Sequence, residues 1–258
     1  MKILFIGDVT GKPGLLFVKD RLPQLISEFH PDLVIANAEN SAVNGRGITA
    51  SSVEYLYDCG VEILTLGNHV WDQREALGVI QADERIVRPA NLPPGVPGRG
   101  YTVCRVAGRS VAIISLIGRT FMGLADCPFR AIDQIFSQLD PAIKHIFIDF
   151  HGEATSEKLA LGFYVDGRAS VVVGTHTHVQ TADERILPKG TGYLTDVGMT
   201  GPRDGILGMK REVVIRRFLD QMPARFEVAD GPRQFSAVLA VLDDQGSARS
   251  MERIYIAE

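Results

Sequence analysis

Cysteine is scarce: Cys59, Cys104 and Cys127 are the only three in 258 residues. An odd, scattered set excludes a disulfide framework and a paired zinc knuckle, and it fits a reducing cytoplasm. Positive charge is not in surplus, since 27 Lys and Arg stand against 31 Asp and Glu, a net charge of −4. That excludes a protein whose main task is to coat nucleic acid or an anionic membrane. No stretch approaches the roughly 18 apolar residues of a membrane span. The opening apolar run, Ile3–Ile6, is too short for a signal peptide and reads as a strand. Repeats and low-complexity segments are absent as well. What is present is 45% hydrophobic residues, enough to fill the core of one large domain over 1–258.

The first third alternates strand and helix. Ile3–Ile6 is a strand that Gly7–Asp8 closes, and Pro13 suits the first turn of a helix running to about Phe29. Leu33–Ala36 and Val61–Leu66 are the next strands. Between them Thr49 or Ser51 caps a helix through Cys59, and another follows from about Asp72 to Ile80. Such a βαβαβα order predicts a sheet that begins parallel. Pro89–Gly100 reads as irregular, and Tyr101–Val106 with Val111–Ile117 as an antiparallel hairpin. Helices near Ile132–Leu139, Ser156–Phe163 and Glu212–Leu219, and strands at Ile146–Phe150, Val171–Val173 and Thr191–Thr195, complete the middle. Gln234–Leu242 and Arg249–Ile256 read as a closing antiparallel pair.

The chemistry-bearing residues share one location. Asp8, Glu39, Asn68, His69, His151, His176 and His178 each follow an apolar strand within a few residues. In open α/β sheets the carboxyl ends of strands line the binding crevice. Four of the six histidines fall there, while His30 and His145 read as solvent-facing or as partnered structural residues. Val171–Val173 runs into Gly174–Thr175–His176–Thr177–His178, and an extended backbone there would point both imidazoles the same way. Each residue alone has a modest explanation: Asp8 as a turn cap, Glu39 as a loop carboxylate, Asn40 and Asn68 as turn formers, His151 as a core histidine. Coincidence at five strand ends does not.

Carboxylate, amide oxygen and imidazole without thiolate suit Mn, Fe, Zn, Ni or Co rather than a structural zinc. Seven or eight donors exceed one ion's need and match two ions that share a carboxylate. Two ions about 3.5–4 Å apart can clamp a phosphoryl group during in-line displacement.

Gly7–Asp8, Gly67–Asn68–His69, His151–Gly152 and Gly174–His178, in this order, resemble the calcineurin-like metallophosphoesterase superfamily. Phe5–Val9, Asn37–Asn40, Asp149–His151 with Glu153–Lys158, Gly174–Thr181 and Thr195–Pro202 resemble its YmdB-like branch across nearly the whole chain. The wider superfamily has Asp-x-His in its first motif, but Asp8–Val9–Thr10 lacks that histidine. Glu39 stands at the bridging position, and Asn40 can supply the missing ligand, as in the YmdB-like pattern. The resemblance implies an α/β fold, a four-layer α/β/β/α sandwich with mixed sheets. It implies one metal held by Asp8, Glu39, Asn40 and His178, and a second by Glu39, Asn68, His151 and His176. It further implies a bridging hydroxide as nucleophile and His69 as general acid, a role worth about 10²–10⁴ in rate. Iron or manganese ions, cyclic-nucleotide or other phosphodiester substrates, RNA among them, no membrane partner, and a cytoplasmic homo-oligomer complete what it implies.

Substrate recognition is less legible. Arg119, Arg168 and Arg203 read as solvated, Phe121 and Tyr164 as packing residues, and the glycine-rich Asp196–Gly208 as either a pocket wall or a run of unusual backbone angles. Two rival functions follow from the same residues. Gly7, Gly11, Gly14 and Glu39 loosely imitate the fingerprint of a nucleotide-binding oxidoreductase, although Val9 stands where glycine belongs. A metal-stabilised regulatory or interaction module, with hydrolysis incidental, would carry the same strand-end residues.

Overall fold

Alternation along the strands builds three apolar layers. The computed structural model describes residues 1–258. Its first part runs β1 (Lys2–Ile6), β2 (Asp8–Val9), α1 (Gly11–Phe29), β3 (Leu33–Asn37), α2 (Ala50–Asp58), β4 (Ile63–Thr65), α3 (Ala76–Ala82) and β5 (Ile86–Val87). The second part runs β6 (Tyr101–Val106), β7 (Arg109–Ile117), α4 (Pro128–Gln138), β8 (His145–His151), α5 (Thr155–Tyr164), β9 (Val171–Thr175), β10 (Arg185–Ile186) and β11 (Gly192–Leu194). Then β12 (Met199–Pro202), α6 (Arg211–Asp220), β13 (Arg233–Leu242) and β14 (Ala248–Ala257) return to the first sheet.

The first sheet has eight strands in the order β2-β12-β13-β1-β3-β4-β5, with β14 on β13. The second has six, in the order β10-β11-β9-β8-β7-β6. Ile3 and Phe5 of β1, with Ile35, Val238 and Ala240, face Val111, Ile113, Phe147, Val171 and Val173 of the second sheet. Phe5 and Phe147 meet there with ring centroids 5.2 Å apart. The intervening residues Leu4, Ile6, Val34 and Ala36 point the other way, onto α1 and α2. In the second sheet Ile114, Ile148, Phe150 and Val172 pack against Ile132 of α4 and Leu161 of α5. Two-residue alternation thus gives each sheet two apolar faces, and the result is the four-layer α/β/β/α sandwich.

Both sheets are mixed. β1, β3, β4 and β5 are parallel, as the βαβαβα order requires, and β13 enters antiparallel beside β1. β13 and β14 form the expected closing pair, and β6 and β7 the expected hairpin. Several boundaries differ from the sequence reading. Thr49 is the N-cap of α2, where Ser52 completes a reciprocal capping box, and at the other end Cys59 is the C-cap, so the last helical residue is Asp58. α4 begins at Pro128, where proline's missing N–H costs nothing. α3 starts at Ala76 because 69–75 is spent on turns. β2 lies where Gly7–Asp8 was expected to close the first strand and β12 within the expected glycine-rich loop, and they pair with each other. No helix is long and apolar enough to cross a membrane.

Candidate metal centre

Asp8 follows β1, Glu39 and Asn40 follow β3, Asn68 and His69 follow β4, His151 ends β8, and His176 and His178 follow β9. Because the two sheets face each other, these strand ends converge from both. His151 Nε2 lies 3.0 Å from Glu39 Oε1, 2.9 Å from Asn68 Oδ1 and 3.0 Å from His176 Nδ1. Glu39, His151 and His176 offer donor atoms all within 4.8 Å of one another. At the same Glu39 oxygen, Asn40 Nδ2 lies 3.3 Å from Oε1 and 3.2 Å from His178 Nε2. His178 Nε2 in turn lies 3.9 Å from Asp8 Oδ1. A half-turn of the Asn40 amide would present its oxygen at the same point.

The paired histidines do not converge through an extended strand. β9 stops at Thr175, and His176 and His178 adopt φ of 102° and 64°. Left-handed backbone at two non-glycine residues costs of order 1–3 kcal/mol each and persists only where the surroundings enforce it. Asp196 is the enforcer. Its carboxylate accepts the backbone N–H and hydroxyl of Thr177 at 3.1 and 2.8 Å, the Gly198 N–H at 2.8 Å, and the buried Lys158 ammonium at 2.6 Å. Gly67 is the other backbone requirement, since a Cβ there would strike the Glu39 carboxylate and the His151 ring.

Each histidine has one nitrogen committed to the protein and one aimed into the site. The Thr175 hydroxyl donates to Asp149 Oδ1 at 2.7 Å, so its oxygen accepts the His151 Nδ1–H at 2.9 Å and leaves Nε2 inward. His176 Nε2 meets Glu153 at 3.2 Å, leaving Nδ1 inward. His178 Nδ1 meets the Leu207 carbonyl at 3.2 Å, leaving Nε2 inward. Such outer partners fix the tautomer and raise the basicity of a ligand. Asp149, wholly buried, also accepts Thr65 Oγ1 at 2.5 Å and Asn37 Nδ2 at 3.0 Å. His69 differs from the others: its backbone N–H donates to Glu39 Oε2 at 3.0 Å, and its Nδ1 meets Asp72 at 2.9 Å, so Nε2 is its free nitrogen.

Glu39 Oε1, Asn68 Oδ1, His151 Nε2 and His176 Nδ1 all present lone pairs to one another, which a shared proton or metal ion reconciles. Asp8 Oδ1 is buried without any hydrogen-bond partner, and its other oxygen accepts the His176 N–H at 3.2 Å. Burial raises the Asp8 carboxyl well above its usual range, with His151 opposing and Glu39 adding. At His151 burial acts downward, but the Glu39 charge and hydrogen bond outweigh it and push the imidazole up to about 9. Glu39 is correspondingly held down against its own burial, chiefly by His151. Burial, with His151 adding, pushes His176 down to about 3. The proton thus gathers on one imidazole in the middle of the cluster, where a metal ion would bind several donors at once. The donor set fits the ions anticipated from the sequence: oxygen and imidazole, no thiolate.

A cleft of about 690 Å³ opens above Glu39, Asn40, His69, His176 and His178. Its further wall includes Ile206 and Leu207, so part of the glycine-rich loop does border the site. Arg46, Arg217, Phe218 and Phe226 also line it, and the sequence reading had not singled them out. Arg119, Arg168, Arg203, Phe121 and Tyr164 lie outside it. Arg168 pairs with Asp133, and Arg203 donates to the Glu258 carbonyl. His145 is buried against the Asp243 carbonyl, and His30 is the left-handed cap of α1. The glycines of the dinucleotide imitation serve close packing instead: Gly14 lies under the Thr200 carbonyl, and the Gly11 N–H donates to Asn40.

Fold and strand-end cluster together define the metallophosphoesterase type of protein. A 5′-nucleotidase precursor from Thermus thermophilus shares the fold at a TM-score of 0.59 and 12% identity, covering 99% of this chain and 54% of that one. The chain belongs to the YmdB-like protein family, whose family model matches residues 4–254. It is 52% identical over 257 residues to a 2′,3′-cyclic-nucleotide 2′-phosphodiesterase from Bacillus subtilis, covering 99% of this chain and 97% of that protein. The crystal structure of a novel phosphatase from Mycoplasma pneumoniae superposes at a TM-score of 0.95 with 36% identity, covering 100% and 94%.

Proposed function

We propose that the chain, acting as one domain over 1–258, is a metal-dependent phosphodiesterase that hydrolyses 2′,3′-cyclic nucleotides. One observation carries this reading: donor lone pairs of Glu39, Asn68, His151 and His176 meet within hydrogen-bond distance, beside an orphaned Asp8 oxygen, at the base of an open cleft. Asp8, Glu39, Asn40 and His178 would hold one ion, and Glu39, Asn68, His151 and His176 the other. Iron and manganese match the donors. When bound, the two ions supply charge neutralisation for the phosphoryl group and a water acidic enough to act as nucleophile near neutral pH.

The protein's own residues do the rest. Water oxygen bonds to phosphorus, the P–O2′ bond breaks, and the proton needed on O2′ comes from His69 Nε2. Asp72 accepts the Nδ1–H of that ring, which orients it and leaves Nε2 as the proton-bearing nitrogen that faces the substrate. The apolar wall of Leu207, Phe218 and Phe226 offers a face to a nucleobase, and the 52% identical relative's substrate class suits that mixture. Three free, partly buried cysteines support a cytoplasmic setting. Leu219 and Met222, 81% and 63% exposed beyond the cleft, support a homo-oligomer.

A phosphoester panel tests the reading. Protein loaded with Mn²⁺ or Fe²⁺ should convert 2′,3′-cyclic nucleotides to 3′-phosphates faster than it cleaves 3′,5′-cyclic nucleotides or monoesters. Hydrolysis of monoesters alone, or of nothing, would contradict it.

A further inference from the structure

A second groove of about 1020 Å³ adjoins the cleft, and the two share Arg46, Arg217 and Phe226 in their linings. The groove runs along the first turn of α1 and the 224–231 segment. Five cationic and two acidic side chains line it, in a chain whose net charge is −4. Arg233 is already engaged by Asp20 and Glu258, and Glu227 by Lys210. That leaves Lys12, Arg46, Arg217 and Arg225 exposed and without a carboxylate in salt-bridge contact, against Asp230 alone. The Arg217 guanidinium lies 5.2 Å from the centre of the Phe226 ring, at the junction of the two cavities. Cations spaced along a track with an aromatic ring among them are what a single nucleic-acid strand requires, phosphates meeting the charges and a base stacking on the ring.

A mononucleotide has no use for this groove, because the cleft alone lies within the roughly 300–1,000 Å³ that small ligands fill. A longer substrate does. A 2′,3′-cyclic phosphate exists only at the 3′ terminus of an RNA strand, so every further nucleotide lies on its 5′ side and leaves the cleft along one path. We infer that this path is the basic groove: the protein takes single-stranded RNA whose 3′ end is a 2′,3′-cyclic phosphate, with upstream phosphates on Lys12 and Arg225. The inference rests on the phosphodiesterase reading above. The reaction is unchanged: one water is consumed, P–O2′ breaks, O2′ takes the proton, and the RNA keeps a 3′-phosphate with its other linkages intact.

The test compares 2′,3′-cyclic AMP with an RNA of about ten nucleotides, within the span a single-strand site covers, ending in 2′,3′-cyclic phosphate. It is run on metal-loaded protein at two salt concentrations. A second arm measures binding of the same RNA, 5′-labelled and carrying a 3′-phosphate, by fluorescence anisotropy. The groove variant is Lys12→Glu with Arg225→Glu. The charge control is Arg105→Glu with Arg130→Glu, exposed positions that line neither cavity.

RNA should show a kcat/KM at least about tenfold above cyclic AMP at low salt, an advantage that shrinks as salt rises. The groove variant should lose about tenfold in RNA affinity and in the RNA-to-mononucleotide ratio, and the control much less. Equal kcat/KM for both substrates, or equal losses in variant and control, would overturn the groove while leaving the phosphodiesterase reading in place. If cyclic AMP and the cyclic-ended RNA both resist hydrolysis, that reading fails. The anisotropy arm then decides the groove alone: undiminished RNA binding by the groove variant overturns it, and a selective loss upholds it.

Discussion

The floor and the wall of the cleft are built on opposite terms. On the floor, Asp8, Glu39, Asn40 and His151 are at most 3% exposed, and each inward-facing histidine nitrogen is set by a partner on its far side. On the wall, α6 buries only Val214, while Phe218 stands 80% exposed. A floor so constrained holds donor atoms in place, which is what bond-breaking chemistry needs. A wall so lightly packed can accept different side chains at little cost to folding, which is where substrate preference can vary. Substitutions on the floor should therefore damage turnover or metal binding, and substitutions on the wall should act on KM.

The largest expected effect that leaves the ions in place is at His69. His69→Ala should keep its metal and lose about 10²–10⁴ in turnover on poor leaving groups, with a smaller loss on p-nitrophenyl esters. Equal losses on both would move His69 from the acid role to a packing one. Thr175→Val comes next. It removes the hydroxyl that accepts the His151 Nδ1–H and should weaken metal affinity about 10–100-fold, read by competition with a chelator.

The pH dependence of the metal-stripped protein sharpens the same contrast. His151 holds its proton up to about 9 in the fold, above the ordinary imidazole value of about 6.5. Its contribution to stability is fully present below about 6.5 and is lost as pH rises through about 9. The Tm of stripped protein should fall between these values, while metal affinity rises because the competing proton leaves. A stripped protein whose Tm is flat across that window would contradict the assignment. The smallest effect belongs to the wall. Phe218→Ala should raise KM for cyclic nucleotides a few-fold and change unfolding free energy by no more than about 0.5 kcal/mol, as exposed substitutions do.

The same division explains what the sequence revealed. Every floor residue ends a strand whose apolar run is visible locally, so Asp8, Glu39, Asn68, His151 and the paired histidines could be found without coordinates. Their partners could not. Thr175 and Glu153 stand in stretches that carry the family resemblance, yet nothing local ties them, or Asp72, to a particular histidine nitrogen. The backbone through His178 does not stay extended, because Asp196, about twenty residues on, holds the chain in a bend that no local pattern announces. β2 and β12 are two and four residues long, too short for any periodicity, and exist only because β13 brings their neighbourhood together. The wall was least legible. Arg46, Arg217, Phe218 and Phe226 carry no local pattern that separates a cleft lining from ordinary surface.

In the proposed reading, two cations share the Glu39 carboxylate. Anomalous diffraction from crystals of the metal-loaded protein tests it most directly. Two peaks about 3.5–4 Å apart are expected, one beside Asp8 and His178, the other beside His151 and His176, with Glu39 between them. A single peak, or two peaks that leave Glu39 uncoordinated, would contradict it.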